Sequence, residues 1–137
     1  MIYITRKEVF CAAHKLYKEE WSEEENSEVF GKCSNPNGHG HNYTVYVTVK
    51  GEPDPQTGFL VNLRIISDLI NIHIIEPMDH KNLNMDVDFM RGIMPTTENT
   101  AIAIWKQLEP HINKLGCKLH GIKLQETENN YVEYYGK

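Results

Sequence analysis

Three features of the sequence predict an α+β fold. Two segments of β-type alternation occupy residues 2–14 and 41–49, stretches with apolar residues three and four apart lie between 62 and 108, and a pair of alternating segments closes the chain at 117–135. The order is strand, strand, helix, helix, strand, strand, which gives a four-stranded antiparallel sheet with two helices on one face. There are no internal repeats, and 137 residues suit a single domain spanning 1–137.

In the first strand, Ile2, Ile4, Phe10 and Ala12 alternate with Tyr3, Thr5, Val9 and Cys11, and the strand is expected to end near His14. The acidic run Glu19 to Glu25 follows. Ser22 with Glu25 three residues later forms a capping-box pattern opening a short helix, whose acids read as a solvated face. The clearest strand comes next, with His41, Tyr43, Val45, Val47 and Val49 on one face and Asn42, Thr44, Tyr46 and Thr48 on the other. Residues 51–58, GEPDPQTG, are turn chemistry. Asn62 caps a helix through Leu63, Ile66, Leu69, Ile70 and Ile74, which Pro77 is expected to end. Thr96 or Thr97 caps a second helix carrying Ala101, Ile104, Trp105 and Leu108, with Pro110 kinking or shortening its end. Residues 117–127 and 130–135 form a hairpin turning at Glu128-Asn129-Asn130. The exposed edges such a sheet leaves favour an oligomer.

Composition excludes several functions. A net charge of −5 argues against a nucleic-acid surface, and no apolar run reaches the length of a membrane span. Arg6, Lys7 and Glu8 interrupt the N-terminal apolar pattern, so no signal peptide is expected and a cytoplasmic protein is. Three widely spaced cysteines make a poor disulfide framework; Cys11 and Cys117, within predicted strands, read as inert buried thiols.

The chemistry concentrates around His39-Gly40-His41. Residues two apart on a strand project from one face, so both imidazoles can reach one ion. His14, at the end of the first strand, is the third candidate ligand, and three histidines plus water make the open zinc site used in catalysis. Ligand type alone also admits copper, nickel or iron, and a bare His-x-His is equally compatible with a turn that binds nothing. Cys33 lies in the turn-rich segment CSNPNGHGH, where it can sit beside a metal and act as a base. Asp79-His80 places a carboxylate and an imidazole side by side in a loop. Glu126 is a carboxylate that could accept two parallel hydrogen bonds from a guanidine-like heterocycle edge, or could be an ordinary surface acid. His73, His111 and His120 lack such a constellation.

Taken together, Phe10-Cys11-Ala12-Ala13-His14, CSNPNGHGHNY from Cys33 to Tyr43, Met78 to Leu83, Thr96-Thr97-Glu98-Asn99 and Glu126 to Asn130 resemble the 6-pyruvoyl-tetrahydropterin synthase family, in order and spacing over nearly the whole chain. The resemblance implies the tunnelling fold, with trimers closing a β-barrel and two trimers stacking into a homohexamer whose active sites lie between subunits. It further implies Zn²⁺ held by His14, His39 and His41, Cys33 as catalytic base, and Asp79 and His80 completing its relay. Glu126 becomes the pterin anchor, with Thr96, Thr97 and Glu98 in the pocket wall. The implied reaction converts 7,8-dihydroneopterin triphosphate to 6-pyruvoyl-5,6,7,8-tetrahydropterin and triphosphate. Five residues separate Cys33 from His39, the spacing of the pyruvoyl-forming type rather than of the 6-carboxy-tetrahydropterin synthases of queuosine biosynthesis. The first segment departs from the family at Cys11, where relatives often carry serine. A non-catalytic pterin-binding protein is the alternative of a different class, and it has no evident use for Cys33, Asp79 and His80.

Overall fold

Strands β1 (Ile2–His14) and β2 (His39–Gly51) pair antiparallel along their whole length, from Ile2 opposite Gly51 to His14 opposite His39. This long two-stranded ladder is the frame of a computed structural model that describes all of residues 1–137. Its buried side is spelled by alternation: Phe10, Ala12 and His14 on β1 point the same way as Tyr43, Val45, Val47 and Val49 on β2. The opposite parity leaves Cys11 exposed, which corrects its reading as a buried thiol; Cys117 is buried as expected.

The four antiparallel strands of the prediction are present, with a fifth added. The sheet order is β3-β1-β2-β4-β5, where β4 is Lys118–Thr127, β5 is Asn130–Tyr134 and β3 is the two-residue segment Lys81–Asn82. β3 runs parallel to β1 on its free edge, Lys81 opposite Ala12. Two residues cannot display a period, so β3 was invisible to sequence patterning. In β4 the pairing with β2 skips His120, and this bulge changes the parity of the buried side chains from Leu119 to Ile122 and Leu124.

The two main helices cover one face of the sheet. α1 (Glu23–Phe30) opens as predicted, with the Glu25 amide donating to Ser22 Oγ, a cap contributing about 1 kcal/mol. Its acids Glu23, Glu24 and Glu25 are exposed. α2 (Leu63–Ile70) is capped by Asn62 and continues through a wide π turn, Asn71–Ile75, into the short α3 (Glu76–Met78). Ile66, Ile70 and Ile74 face the core at roughly 1.5–3 kcal/mol of burial each. The chain therefore stays helical just past Pro77. The π turn shifts hydrogen bonding before the proline, which can neither donate an amide nor pack against the carbonyl four residues back. α4 (Thr97–Ile112) likewise runs one turn or less beyond Pro110, which lies on its exposed side near the C-terminal end, where a missing amide costs least. α4 packs across β4 and β5, while α2 lies over β1. No helix is long and apolar enough to cross a membrane.

Candidate metal centre

The paired ends of β1 and β2 bring the three histidines together. His14 is directly opposite His39, and His41 lies two residues further along the same face. His14 Nε2 and His39 Nε2 are 3.2 Å apart, and the ligand atoms of all three residues lie within 4.8 Å of one another. Tetrahedral zinc with Zn–N near 2.0–2.1 Å places ligand nitrogens about 3.3 Å apart, so this spacing fits a metal. The site also has the electronic character of one. His14 is 1% exposed, and its Nδ1–H donates to the Pro95 carbonyl at 2.8 Å, leaving the Nε2 lone pair aimed inward. His41 Nε2 is buried without a hydrogen-bond partner, an orphan that a cation would satisfy. Burial holds both His14 and His41 below the usual imidazole range, so they present neutral nitrogens.

Glu126 and Cys33 stand on the rim of this triad. Glu126 Oε2 lies 3.9 Å from both His14 Nε2 and His41 Nε2 and accepts a 2.6 Å hydrogen bond from Thr97 Oγ1. The carboxylate is only 18% exposed, so it faces the site rather than bulk solvent. Cys33 Sγ is 3.9 Å from His39 Nε2, on a 3₁₀ turn over Gly31–Ser34. Burial first, and the charge of Glu126 second, push its thiol up.

Not every candidate joins the centre. Thr97 is buried against Glu126, but the Thr96 hydroxyl is occupied in capping α4, where it accepts from the Asn99 amide, and Glu98 is exposed. Asp79 and His80 sit at the far edge of β1. Asp79 Oδ1 accepts from the Cys11 amide at 2.8 Å and lies 3.1 Å from His80 Nδ1; the amide bond is the main reason its carboxyl is held below the usual range. His80 has φ +59° and is 81% exposed, and neither residue bonds to Cys33 or to the histidines. Sequence reasoning missed Pro95, whose contribution is a backbone carbonyl. It also missed the Tyr43 hydroxyl, 3.4 Å from His14 Nδ1, although the strand alternation already placed Tyr43 on the buried face.

Residues 3–137 match the family described as 6-pyruvoyl tetrahydropterin synthase. The chain belongs to that family. It is 47% identical over 134 residues to the 6-pyruvoyl tetrahydrobiopterin synthase of Homo sapiens, covering 98% of this chain and 91% of that protein. The 6-carboxy-5,6,7,8-tetrahydropterin synthase of Bacillus subtilis is more distant, 34% identical over 112 residues that cover 78% of this chain and 73% of that one. The solved 6-pyruvoyl tetrahydropterin synthase of Caenorhabditis elegans superposes with a TM-score of 0.89 at 35% identity, covering 99% of this chain and 96% of that one. The expected α+β family fold is thereby established, with its three-histidine centre as a candidate metal site.

Proposed function

We propose that the chain, as one domain over residues 1–137, is a zinc-dependent 6-pyruvoyl-tetrahydropterin synthase, a carbon–oxygen lyase that converts 7,8-dihydroneopterin triphosphate to 6-pyruvoyl-5,6,7,8-tetrahydropterin and triphosphate. The observation that carries this reading is the convergence of three imidazoles, with Cys33 and Glu126 on their rim, in a chain so similar to synthases of that type. His14, His39 and His41 would hold the ion, and zinc is the metal their number and type favour. Bound zinc supplies Lewis-acid polarisation of the substrate's side-chain hydroxyls.

The protein groups divide the remaining work. Glu126 accepts parallel hydrogen bonds from the N–H edge of the pterin, with its carboxylate held by Thr97; Thr96 and Glu98 belong to the neighbouring pocket wall. Cys33 takes the proton from the substrate side chain. Its thiol is raised in the chain alone, so the positive charge of a bound cation is what would bring it into the thiolate range. Asp79 orients His80, which returns or accepts a proton on the opposite side of the ring. His80 is exposed and bonds to neither Cys33 nor the three histidines, which favours a reading in which a neighbouring subunit of a cytoplasmic homohexamer completes the relay.

Product analysis tests the reading. Zinc-loaded protein incubated with 7,8-dihydroneopterin triphosphate should yield triphosphate and 6-pyruvoyl-tetrahydropterin by mass spectrometry. Acetaldehyde with 6-carboxy-tetrahydropterin would move the protein to the other branch of the family, and tight binding without turnover would make it a pterin-binding protein.

A further inference from the structure

From Asp79 to Asn84 the chain runs alongside the end of β1 and is fastened to it repeatedly. The Cys11 amide donates to Asp79 Oδ1, the His80 amide donates to the Cys11 carbonyl at 2.6 Å, and the Leu83 amide donates to the Ala13 carbonyl at 2.8 Å. Asn84 completes the series with its side chain. Its Oδ1 accepts from the Lys15 amide at 2.8 Å and its Nδ2 donates to the Lys15 carbonyl at 2.9 Å. β1 ends at His14, so one side-chain amide takes the place of a further strand residue and saturates both backbone groups of the residue beside the ligand.

The other side of this segment is held by backbone alone. Gly38, at φ +67°, passes so close that a Cβ there would lie 2.5 Å from the His14 carbonyl oxygen, and the Leu16 amide donates to the Cys33 carbonyl at 2.7 Å. The backbone of His14 and Lys15 is thus wedged between the loop bearing Cys33 and His39 and the strap bearing Asp79 and His80. Pro95 acts on the His14 ring, through its carbonyl.

We propose that Asn84 is a positioning residue for the metal centre: its two hydrogen bonds to Lys15 fix the His14 backbone so that His14 Nε2 meets those of His39 and His41. The inference rests on the zinc reading above and adds a residue to it. Groups that hydrogen-bond directly to metal ligands typically contribute about 10- to 100-fold to metal affinity, and Asn84, which acts one residue removed through the Lys15 backbone, belongs at the low end of that range. Asn84 is exposed and its replacement leaves no core cavity, so the fold should survive.

The test measures zinc by competition with a chromophoric chelator, beside the melting temperature of metal-free protein, for wild type, Asn84→Ala and Asn84→Asp. Asn84→Ala should bind zinc about 10-fold more weakly with the metal-free melting temperature nearly unchanged. Asn84→Asp, which keeps the acceptor for the Lys15 amide but loses the donor to the Lys15 carbonyl, should recover part of that affinity. Equal zinc affinity in wild type and Asn84→Ala overturns the role of Asn84 while leaving the metal reading intact. A weakened Asn84→Ala accompanied by an equally large drop in metal-free stability also overturns it, as a general folding effect. Wild-type protein that binds no zinc overturns the metal reading and this inference with it.

Discussion

The histidine triad and the Asp79-His80 pair lie at opposite edges of the same strand end, yet they differ in nearly every physical respect. The triad is buried, its rings are fixed by strand register and by the Pro95 carbonyl, and one chain supplies all of it. The pair is anchored by backbone bonds to Cys11 but presents His80 to solvent at a positive φ. Ligands that must share one ion need fixed relative geometry, which a paired antiparallel ladder provides within a chain. An exposed imidazole on an edge strap is held by fewer contacts and stays open to groups from outside the chain.

The sharpest break of this contrast is His39→Ala. Removing one of three ligands should abolish stoichiometric zinc and lower turnover by at least about 10³-fold, measured by metal analysis and triphosphate release. Next comes mixing of two inactive variants, Cys33→Ala and His80→Ala, each expected to retain zinc. If a site takes its thiol and imidazole from different subunits, random reassembly should restore about one quarter of wild-type turnover, because half of each group is intact independently. No recovery would place both groups of a working site in one chain, and zinc loss in Cys33→Ala would make the thiol a fourth ligand.

A smaller effect is expected at Thr97→Val. Loss of the hydroxyl that donates to Glu126 should raise KM for the pterin substrate about 10-fold with kcat changed less, since a hydrogen bond to a charged group is being removed. The smallest effect separates the centre from the rest of the molecule. His73 and His111 stack at 3.9 Å between ring centroids, and burial, then the neighbouring His111, holds His73 below the usual imidazole range. The folded state binds this proton less readily than the unfolded chain, so stability should be unaffected above about pH 6.5 and decline as pH falls below it. His73→Gln should flatten that decline in thermal melts without altering zinc content.

The legible parts of the molecule were those written in local pattern. Alternation marked β1 and β2 as strands; Ser22, Asn62 and one of the pair Thr96 or Thr97 announced the helix starts because a side-chain oxygen can satisfy an amide that the helix cannot. His39 and His41 were tied together by strand periodicity alone. Cys11 was misread because membership of a strand does not say which face is buried; parity relative to Phe10 and Ala12 does.

By itself the sequence determined the four antiparallel strands, the main helices and the candidate donors, since each depends on residues near one another along the chain. Only the tertiary structure decided that His14 meets His39 across 25 positions, that Glu126 turns inward under Thr97, and that residues 79–84 strap β1. Those outcomes depend on register and on isolated backbone groups such as the Pro95 carbonyl, which leave no periodic trace in the order of the residues.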